Sequence, residues 1–233
     1  MKLSIFLAAT LVGFASMASA APLCTDVGNT MADYLRLGST GCQIGDKVFY
    51  NFVYSSSGGG TATAVPASAV LVSPVGADTY NPGITFSSES WFVPGSSPTR
   101  TSVLDSSFGF TVTVLPGGNP IDDASLTLGS FNRVGSGAAN IGETVLAADG
   151  FTELGFMGVS TSGQLLAEVN FVDATTFQVR KNFGLAVPTG STGSIQVSSF
   201  TENFSEVPEP VGAILIGSGL LALGAWRRRP TRG

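Results

Sequence analysis

The sequence contains no histidine and only two cysteines among its 233 residues. Without an imidazole, catalytic sites of the Ser-His-Asp or Cys-His type and metal sites with histidine ligands are excluded. Charged residues are also scarce, at 12% of the chain, compared with about 25% in typical soluble proteins. The chain therefore lacks the groups that most hydrolases and metalloenzymes use, and we expect neither enzyme activity nor a cofactor.

Carboxylates are the remaining candidates for chemistry. A pair of them would be needed for glycoside hydrolysis, but no two have a diagnostic spacing, so we expect structural or solvated roles. The adjacent Asp122 and Asp123 offer oxygen ligands for Ca²⁺, which remains an alternative to our prediction of no metal site. The carboxylates considered are Asp122, Asp123, Glu143, Asp149, Glu153, Glu168 and Asp173.

Positive charge is scarce between the two apolar ends of the chain. Residues 21–206 carry 15 acidic side chains against six basic ones, a net charge of −9. Nucleic acid and anionic lipid surfaces are therefore not expected as partners of this part. The six basic residues are Arg36, Lys47, Arg100, Arg133, Arg180 and Lys181.

The N-terminus has the three parts of a secretory signal peptide. Lys2 precedes an apolar stretch, residues 3–17, and the small residues at 18–20 form a cleavage site. We expect residues 1–20 to be removed between Ala20 and Ala21. The alternative is a buried N-terminal helix.

The C-terminal residues 207–233 also have three parts. Val207-Pro208-Glu209-Pro210 is extended, because each proline fixes φ and disfavours helix in the residue before it. Residues 211–226 carry no charge, and Arg227, Arg228 and Arg229 open the basic tail 227–233 as a stop-transfer cluster. We predict one transmembrane helix with the arginines inside. Because a helix of this length spans only about 24 Å, a buried core helix is the alternative.

These C-terminal residues resemble the PEP-CTERM sorting signal of Gram-negative bacteria. The resemblance rests on the Pro-Glu-Pro motif, the Gly- and Leu-rich apolar segment and the arginine cluster, in that order. It implies that the chain is a substrate of exosortase, a membrane-embedded transpeptidase-like enzyme, and that Val207, Pro208, Glu209 and Pro210 form its recognition motif. It also implies an association with exopolysaccharide and a final location at the cell surface or outside the cell.

Cys24 and Cys42 are the only cysteines. In an exported chain, two cysteines are most economically joined as a disulfide. Two buried thiols, or a metal site completed by carboxylates, are the alternatives. A disulfide would connect a short helix, predicted within residues 25–38 with Thr25 or Asp26 as its N-cap and Gly38 at its end, to the first strand.

Residues 21–206 are predicted to form one all-β domain, a β-sandwich. Short alternating runs recur about every 10–15 residues between Gly-, Ser- and Asp-containing turns. Residues 108–115 and 121–128 are predicted to pair as a hairpin, and residues 55–60 to form a flexible loop. A helix over residues 138–148 is kept as an alternative to a strand. The predicted strands are 46–54, 61–72, 84–93, 108–115, 121–128, 143–148, 151–159, 165–172, 177–187 and 194–200.

Two function classes follow for this domain. The first is a structural or interaction protein of the envelope or extracellular matrix. The second is a module that binds polysaccharide, Ca²⁺ or ice and is held by the C-terminal segment. Ice binding would require regular Thr-x-Thr spacing, whereas the pairs at residues 61–63 and 111–113 are isolated. A weaker resemblance, carried by residues 34–38, 41–47 and 177–181, is to uncharacterised exported domains without known activity.

Overall fold

The computed structural model describes residues 20–206. Its strands are β1 (Cys42–Ile44), β2 (Lys47–Gly59), β3 (Leu71–Val75), β4 (Gly83–Ser87), β5 (Phe92–Val93), β6 (Ser102–Val114), β7 (Ile121–Leu128), β8 (Phe131–Gly135), β9 (Ala138–Ala147), β10 (Glu153–Ser160), β11 (Leu166–Ala174), β12 (Thr176–Val187), β13 (Gly193–Val197) and β14 (Ser199–Glu206). One α-helix, α1 (Met31–Leu35), and two 3₁₀ turns, Cys24–Asp26 and Ala67–Ala69, complete the elements. The prediction of an all-β domain is confirmed.

The strands form two large antiparallel sheets and one small one. The first sheet has the order β1-β2-β6-β12-β9-β10, and the second has the order β11-β7-β14-β4-β3. A third sheet, β5-β13-β8, is smaller. The inward faces of the two large sheets pack through aromatic side chains, so the described residues form the predicted β-sandwich.

The centre of the sandwich is aromatic. Phe108 of the first sheet has its ring centroid 5.1 Å from that of Phe86 and 5.3 Å from that of Phe200, both in the second sheet. Trp91 stacks on Phe200 at 5.4 Å and meets the ring of Phe183 edge-on at 4.8 Å. All five rings are buried. Each buries a large apolar area, so this cluster is the main hydrophobic contribution to the packing of the two sheets.

The disulfide prediction is confirmed. Cys24 and Cys42 are bonded, and they join the first 3₁₀ turn to the start of β1. The predicted helix is shorter than expected, and its predicted caps are wrong: Thr30 caps it, accepting from the backbone N–H of Asp33, while the Asp33 side chain accepts from the N–H of Thr30. This reciprocal capping box satisfies two N–H groups at the helix start.

The predicted hairpin is wrong. β6 pairs with β2 and β12 in the first sheet, whereas β7 pairs with β11 and β14 in the second. The loop between β6 and β7 is fixed to Asp46, whose backbone oxygen accepts from Leu115 N and whose side chain accepts from Asn119 N. Asp46 lies at the end of the first sheet. The loop anchored there leads from β6 in the first sheet to β7 in the second, so the two strands do not form a hairpin.

β2 also differs from the prediction. Residues 55–60 are not a flexible loop, because β2 continues to Gly59 and pairs with β6 along its whole length. The predicted alternation fails at Asn51, which has a φ of 53° and lies in a β-bulge where the register shifts between Tyr50 and Val53. A bulge inserts one residue, so Phe52 points inward and Val53 outward.

Three other predicted elements need correction. Residues 84–93 are not one strand, because β4 and β5 lie in different sheets. Residues 61–72 are not one strand, since a 3₁₀ turn at Ala67–Ala69 precedes β3. Residues 138–148 are not helical but contain β9. Among the described residues, no helix is long and apolar enough to cross a membrane.

Two lysines are buried between the large sheets. The Lys47 cluster consists of Lys47, Asp46 and Glu206, with the Lys47 Nζ at 2.8 Å from Glu206 Oε1 and in contact with Asp46. In the Lys181 cluster, formed by Lys181, Glu143 and Glu202, the Lys181 Nζ lies 2.7 Å from Glu202 Oε2 and contacts Glu143 Oε2. In both clusters β14 supplies a glutamate to a lysine of the opposite sheet.

Candidate functional site

The sequence-predicted sorting residues lie outside the described part of the chain. These are Val207, Pro208, Glu209 and Pro210, the apolar segment 211–226, and Arg227, Arg228 and Arg229. At the other end, Ala20 is exposed and Ala21 half-buried. Their proposed roles in sorting, membrane insertion and cleavage stay predictions.

The carboxylates considered from the sequence do not come together. Asp122 and Asp123 lie half-buried on β7, and within residues 20–206 no three His, Cys, Asp or Glu side chains are grouped so that they could hold a metal ion. Glu143 is fully buried and paired with Lys181. The Thr-x-Thr pair at residues 111–113 does not present two free hydroxyls, since Thr113 hydrogen-bonds Tyr50 and Thr176.

The outward face of the first sheet carries the candidate site. One row of residues crosses five strands here, each residue directly opposite the next: Val53, Gly109, Arg180, Thr144 and Phe156. Phe156 is 62% exposed, although a phenyl ring normally gains from burial. The row therefore presents an unburied aromatic ring at one end, an unburied valine at the other and a guanidinium between them.

A second row runs beside the first and is small and polar. Its members, again opposite one another on the same five strands, are Ser55, Ser107, Asn182, Gly142 and Gly158. Its members are serine, asparagine or glycine, so this row projects less far from the sheet surface than the first row. The two rows enclose a depression of about 520 Å³, within the range of small-molecule sites. We call this depression the outer groove.

Two glycines set the shape of the outer groove. A Cβ at Gly109 would lie 2.8 Å from the Cγ2 of Val53, so the valine side chain leans over that position. A Cβ at Gly142 would lie 3.7 Å from the ring of Phe156. Because these glycines lack side chains, the side chains of Val53 and Phe156 lean over them and border the depression at the two ends of the first row.

The outer groove continues past Arg180. A smaller depression of about 280 Å³ is bordered by Asn51, Thr111 and Gln178 and shares Val53 and Arg180 with the first. From Gln178 to Asn182 the two depressions follow β12. The two depressions therefore lie next to each other along β12, and we call the pair the channel.

The turn between β9 and β10 is hydrogen-bonded to Arg180 of the channel. Arg180 Nη2 donates to the backbone oxygen of Gly150 at 3.2 Å. The Asp149 carboxylate accepts from the N–H of Phe151 and of Thr152, each at 2.9 Å, and from the Thr152 hydroxyl. These bonds, the Thr152 hydroxyl first, lower the pKa of Asp149. The fixed turn presents Phe151, which is 90% exposed.

Sequence reasoning placed most of these residues in strands, but it placed Ser55 in a loop and did not find the groove. The usable signal was the set of glycines inside predicted strands, at positions 109, 158 and 184, and Gly142 directly before another such strand. Glycine in a strand interior weakens the strand and marks a close approach by another group. The missing information was the sheet order, which places Gly142 opposite Gly158 and Gly109 opposite Val53.

Comparisons with known proteins give no family. No protein-family model matches the chain, and no curated protein matches it. Similar solved structures include TmCBM61 in complex with β-1,4-galactotriose, at 14% identity and TM-score 0.27, covering 75% of this chain and 97% of that one. A family 11 carbohydrate-binding module from Clostridium thermocellum, in complex with a β-1,3-1,4-mixed-linked tetrasaccharide, has 10% identity and TM-score 0.20 over 78% and 99% of the two chains.

A third similar structure is the glycosylation-associated Gap123 complex from Streptococcus agalactiae. Its identity is 11% and its TM-score 0.29, covering 71% of this chain and 27% of that one. At TM-scores this low, none of the three structures informs the ligand of this chain. The outer groove is therefore interpreted from its own residues.

Proposed function

We propose that residues 21–206 are an exported saccharide-binding module and that the ligand lies in the outer groove. The observation that carries the proposal is the exposed ring of Phe156, beside a low polar row in a depression of about 520 Å³. An exposed aromatic ring bordering a concave site is typical of a binding surface.

The chemistry of the groove suits a sugar chain. A pyranose presents C–H groups on its faces, which pack on an aromatic ring, and hydroxyls around its edge. Asn182, Ser107, Ser55 and Thr144 offer donors and acceptors for those hydroxyls at the groove floor. Arg180 adds a cationic fork that pairs with hydroxyls or with a sugar carboxylate. The channel along β12 accommodates several linked units.

The location of the module is part of the proposal. The disulfide is typical of a domain outside the cytoplasm. We propose that the chain is exported, anchored through residues 207–233 and sorted by exosortase through Pro208, Glu209 and Pro210, in keeping with the resemblance of these residues to PEP-CTERM signals. A saccharide-binding module at the envelope would bind exopolysaccharide.

Affinity electrophoresis tests the binding site. The chain is run in native gels that contain neutral or uronate-containing polysaccharides, and retardation is expected in at least one of them. Phe156→Ala should weaken binding by roughly 30-fold, the effect of losing an interaction worth about 2 kcal/mol.

Tyr80→Ala is the matched control, because Tyr80 is also 62% exposed and does not line the groove. Gly142→Ala provides a second test, since its methyl group would occupy the groove beside the Phe156 ring without a steric clash. Absence of retardation in every gel, or equal loss in the Phe156 and Tyr80 variants, would refute the proposal.

Sorting has its own test. Glu209→Ala should leave export intact and block processing, so the uncut chain accumulates in the membrane of a strain that contains exosortase. Asp122→Ala is the control and should be processed normally. Wild-type processing of the Glu209 variant would show that the motif is only a linker.

A further inference from the structure

The Lys181 cluster lies in the core behind the outer groove. The side chains of Lys181, Glu143 and Glu202 all have 0% exposure. Lys181 and Glu143 are directly opposite each other on the neighbouring strands β12 and β9, and Glu202 reaches them from β14 of the second sheet. One amino group and two carboxyl groups are thus enclosed together without access to water.

The hydrogen bonding of this cluster is incomplete. Glu143 Oε1 and Glu202 Oε1 are both buried, and neither has a hydrogen-bond partner. The Lys181 Nζ contacts the other oxygen of each carboxyl group and lies 5.3 Å from the centroid of the Phe110 ring. An ion pair in the core is stable only when its remaining polar atoms are satisfied. These unpaired oxygens indicate that full ionisation is not the stable state of the cluster.

The surroundings favour neutral groups. Burial raises the pKa of Glu202 well above its ordinary value, the charge of Glu143 raises it further, and Lys181 opposes both effects. For Lys181 and Glu143 to react, one proton must pass from Nζ to the Glu143 carboxylate, which gives an amine in contact with a carboxylic acid. An apolar core penalises such uncharged groups less than isolated charges.

We propose that Lys181 and Glu143 condense to form an intramolecular amide bond. The Nζ lone pair attacks Cδ of Glu143, the bond from Cδ to the hydroxyl oxygen breaks, and one Nζ proton leaves with that hydroxyl as water. No electrons are gained or lost, so no oxidant or other co-reactant is needed. The product is a neutral cross-link between β9 and β12.

Glu202 is the catalytic residue of this step. Its carboxyl group contacts the same Lys181 Nζ as that of Glu143, so as an acid it is placed to polarise the Glu143 carbonyl and protonate the departing oxygen. Enclosure in the core also favours amide formation, for two reasons. Holding amine and acid in contact replaces an encounter in solution, and water that escapes from the apolar core does not return to hydrolyse the amide.

The Lys47 cluster contains the same groups but lacks this chemistry. Asn119 donates to both of its carboxylates, and about a third of the Asp46 side chain is exposed. The pKa of Asp46 is lowered, which favours the carboxylate, a poor electrophile. The amide is therefore expected at Lys181 and not at Lys47, and the second site is a control within the same chain.

Peptide mapping of the full chain tests the proposal. The protein is reduced, denatured and digested with trypsin, which cleaves after Arg180 but not after an acylated Lys181. The expected product, a branched species, joins the peptide 181–227 to the peptide 134–180 through Lys181 and Glu143, and it is identified by two N-termini, Val134 and Lys181, which a linear peptide 134–227 of the same mass does not have. The intact chain should also be lighter by one water. Recovery of the unlinked peptides, with cleavage after Lys181, would overturn the proposal. A link from Lys181 to Glu202 would overturn the choice of acceptor.

Variants separate the roles of the three residues. Lys181→Met should abolish the branched species, whereas Lys47→Met should retain it in full. Glu202→Gln should slow its formation about 100-fold, the usual scale of general acid catalysis. An unchanged rate in Glu202→Gln would refute the role of Glu202. Because the wild-type map alone decides whether the bond exists, the test stands even when a variant does not fold. The result is independent of saccharide binding.

Discussion

The two buried lysine clusters contain the same kinds of groups in different surroundings. In the Lys47 cluster, Asn119 donates its backbone N–H to Asp46 at 2.9 Å and its amide to Glu206 at 3.2 Å. The Lys181 cluster lies deeper, and two of its carboxyl oxygens have no partner. One cluster is a complete hydrogen-bonded network at the end of the sandwich, and the other is an incomplete one in its centre.

This difference reverses the acid–base behaviour of the carboxyl groups. Burial alone would raise the pKa of Asp46, but hydrogen bonds and charge from Lys47, together with the Asn119 N–H, lower it. In the central cluster, burial and the charge of Glu143 outweigh Lys181 and raise the pKa of Glu202. Both clusters contain a lysine, so the balance between burial and hydrogen bonding, and not the presence of a lysine, sets the opposite directions of the two pKa shifts.

The largest effect is expected when each lysine is replaced by methionine. Lys181→Met leaves two carboxyl groups sealed in the core and should lower the free energy of unfolding by about 3–5 kcal/mol. Lys47→Met should cost less, about 1–3 kcal/mol, because Asp46 can turn to water and Asn119 still serves both carboxylates.

Guanidinium unfolding of both variants measures this difference. Tyr80→Ala, at an exposed position, serves as the reference variant and should stay within about 0.5 kcal/mol of the wild type. Equal losses in the two lysine variants would remove the distinction between the clusters.

Much of the fold could be predicted from local patterns. The alternation that predicted a strand over residues 177–187 agrees with β12 to within one residue, and export chemistry predicted the disulfide. Pairings between distant segments could not be predicted in this way. Lys47 and Glu206 are 159 residues apart, and the hairpin prediction failed because a short turn does not determine which sheet receives the next strand.

The buried clusters did leave a signal in the sequence. Lys181 lies in phase with Phe177, Val179, Phe183 and Leu185, all of which point inward. Glu143 and Glu202 are likewise in phase with the buried residues of their own strands. A charged residue in the apolar phase of a strand indicates a buried charge that needs a partner. The partner itself, and the groove on the opposite face of the same sheet, depend on the order of the strands.

A smaller effect is expected in how the free energy of unfolding changes as the pH rises above 4.5. Because the pKa of Glu202 is raised above its ordinary value of 4.5, the folded chain holds a proton that the unfolded chain releases between those two pKa values. The contribution of Glu202 to the free energy of unfolding is therefore fully present below pH 4.5, and it is lost as the pH rises through the pKa of Glu202 in the folded chain. Glu202→Gln should flatten this decline in urea unfolding measured from about pH 5 to pH 9. Burial is the main cause of the shift, so the result holds with or without the amide.

The smallest effect is expected at Asp46 and has the opposite sign. Its pKa is lowered from 3.8, so its contribution to stability is present above the unfolded value and disappears as pH falls through the folded one. Asp46→Asn should therefore be less stable than the wild type near neutral pH, and the two should converge in acid. Because the side chain is 32% exposed, solvent screening keeps this difference modest. Urea midpoints from about pH 7 to pH 2 measure it; a gap that widens in acid would mean that Asp46 is protonated in the folded chain and that the two clusters behave alike.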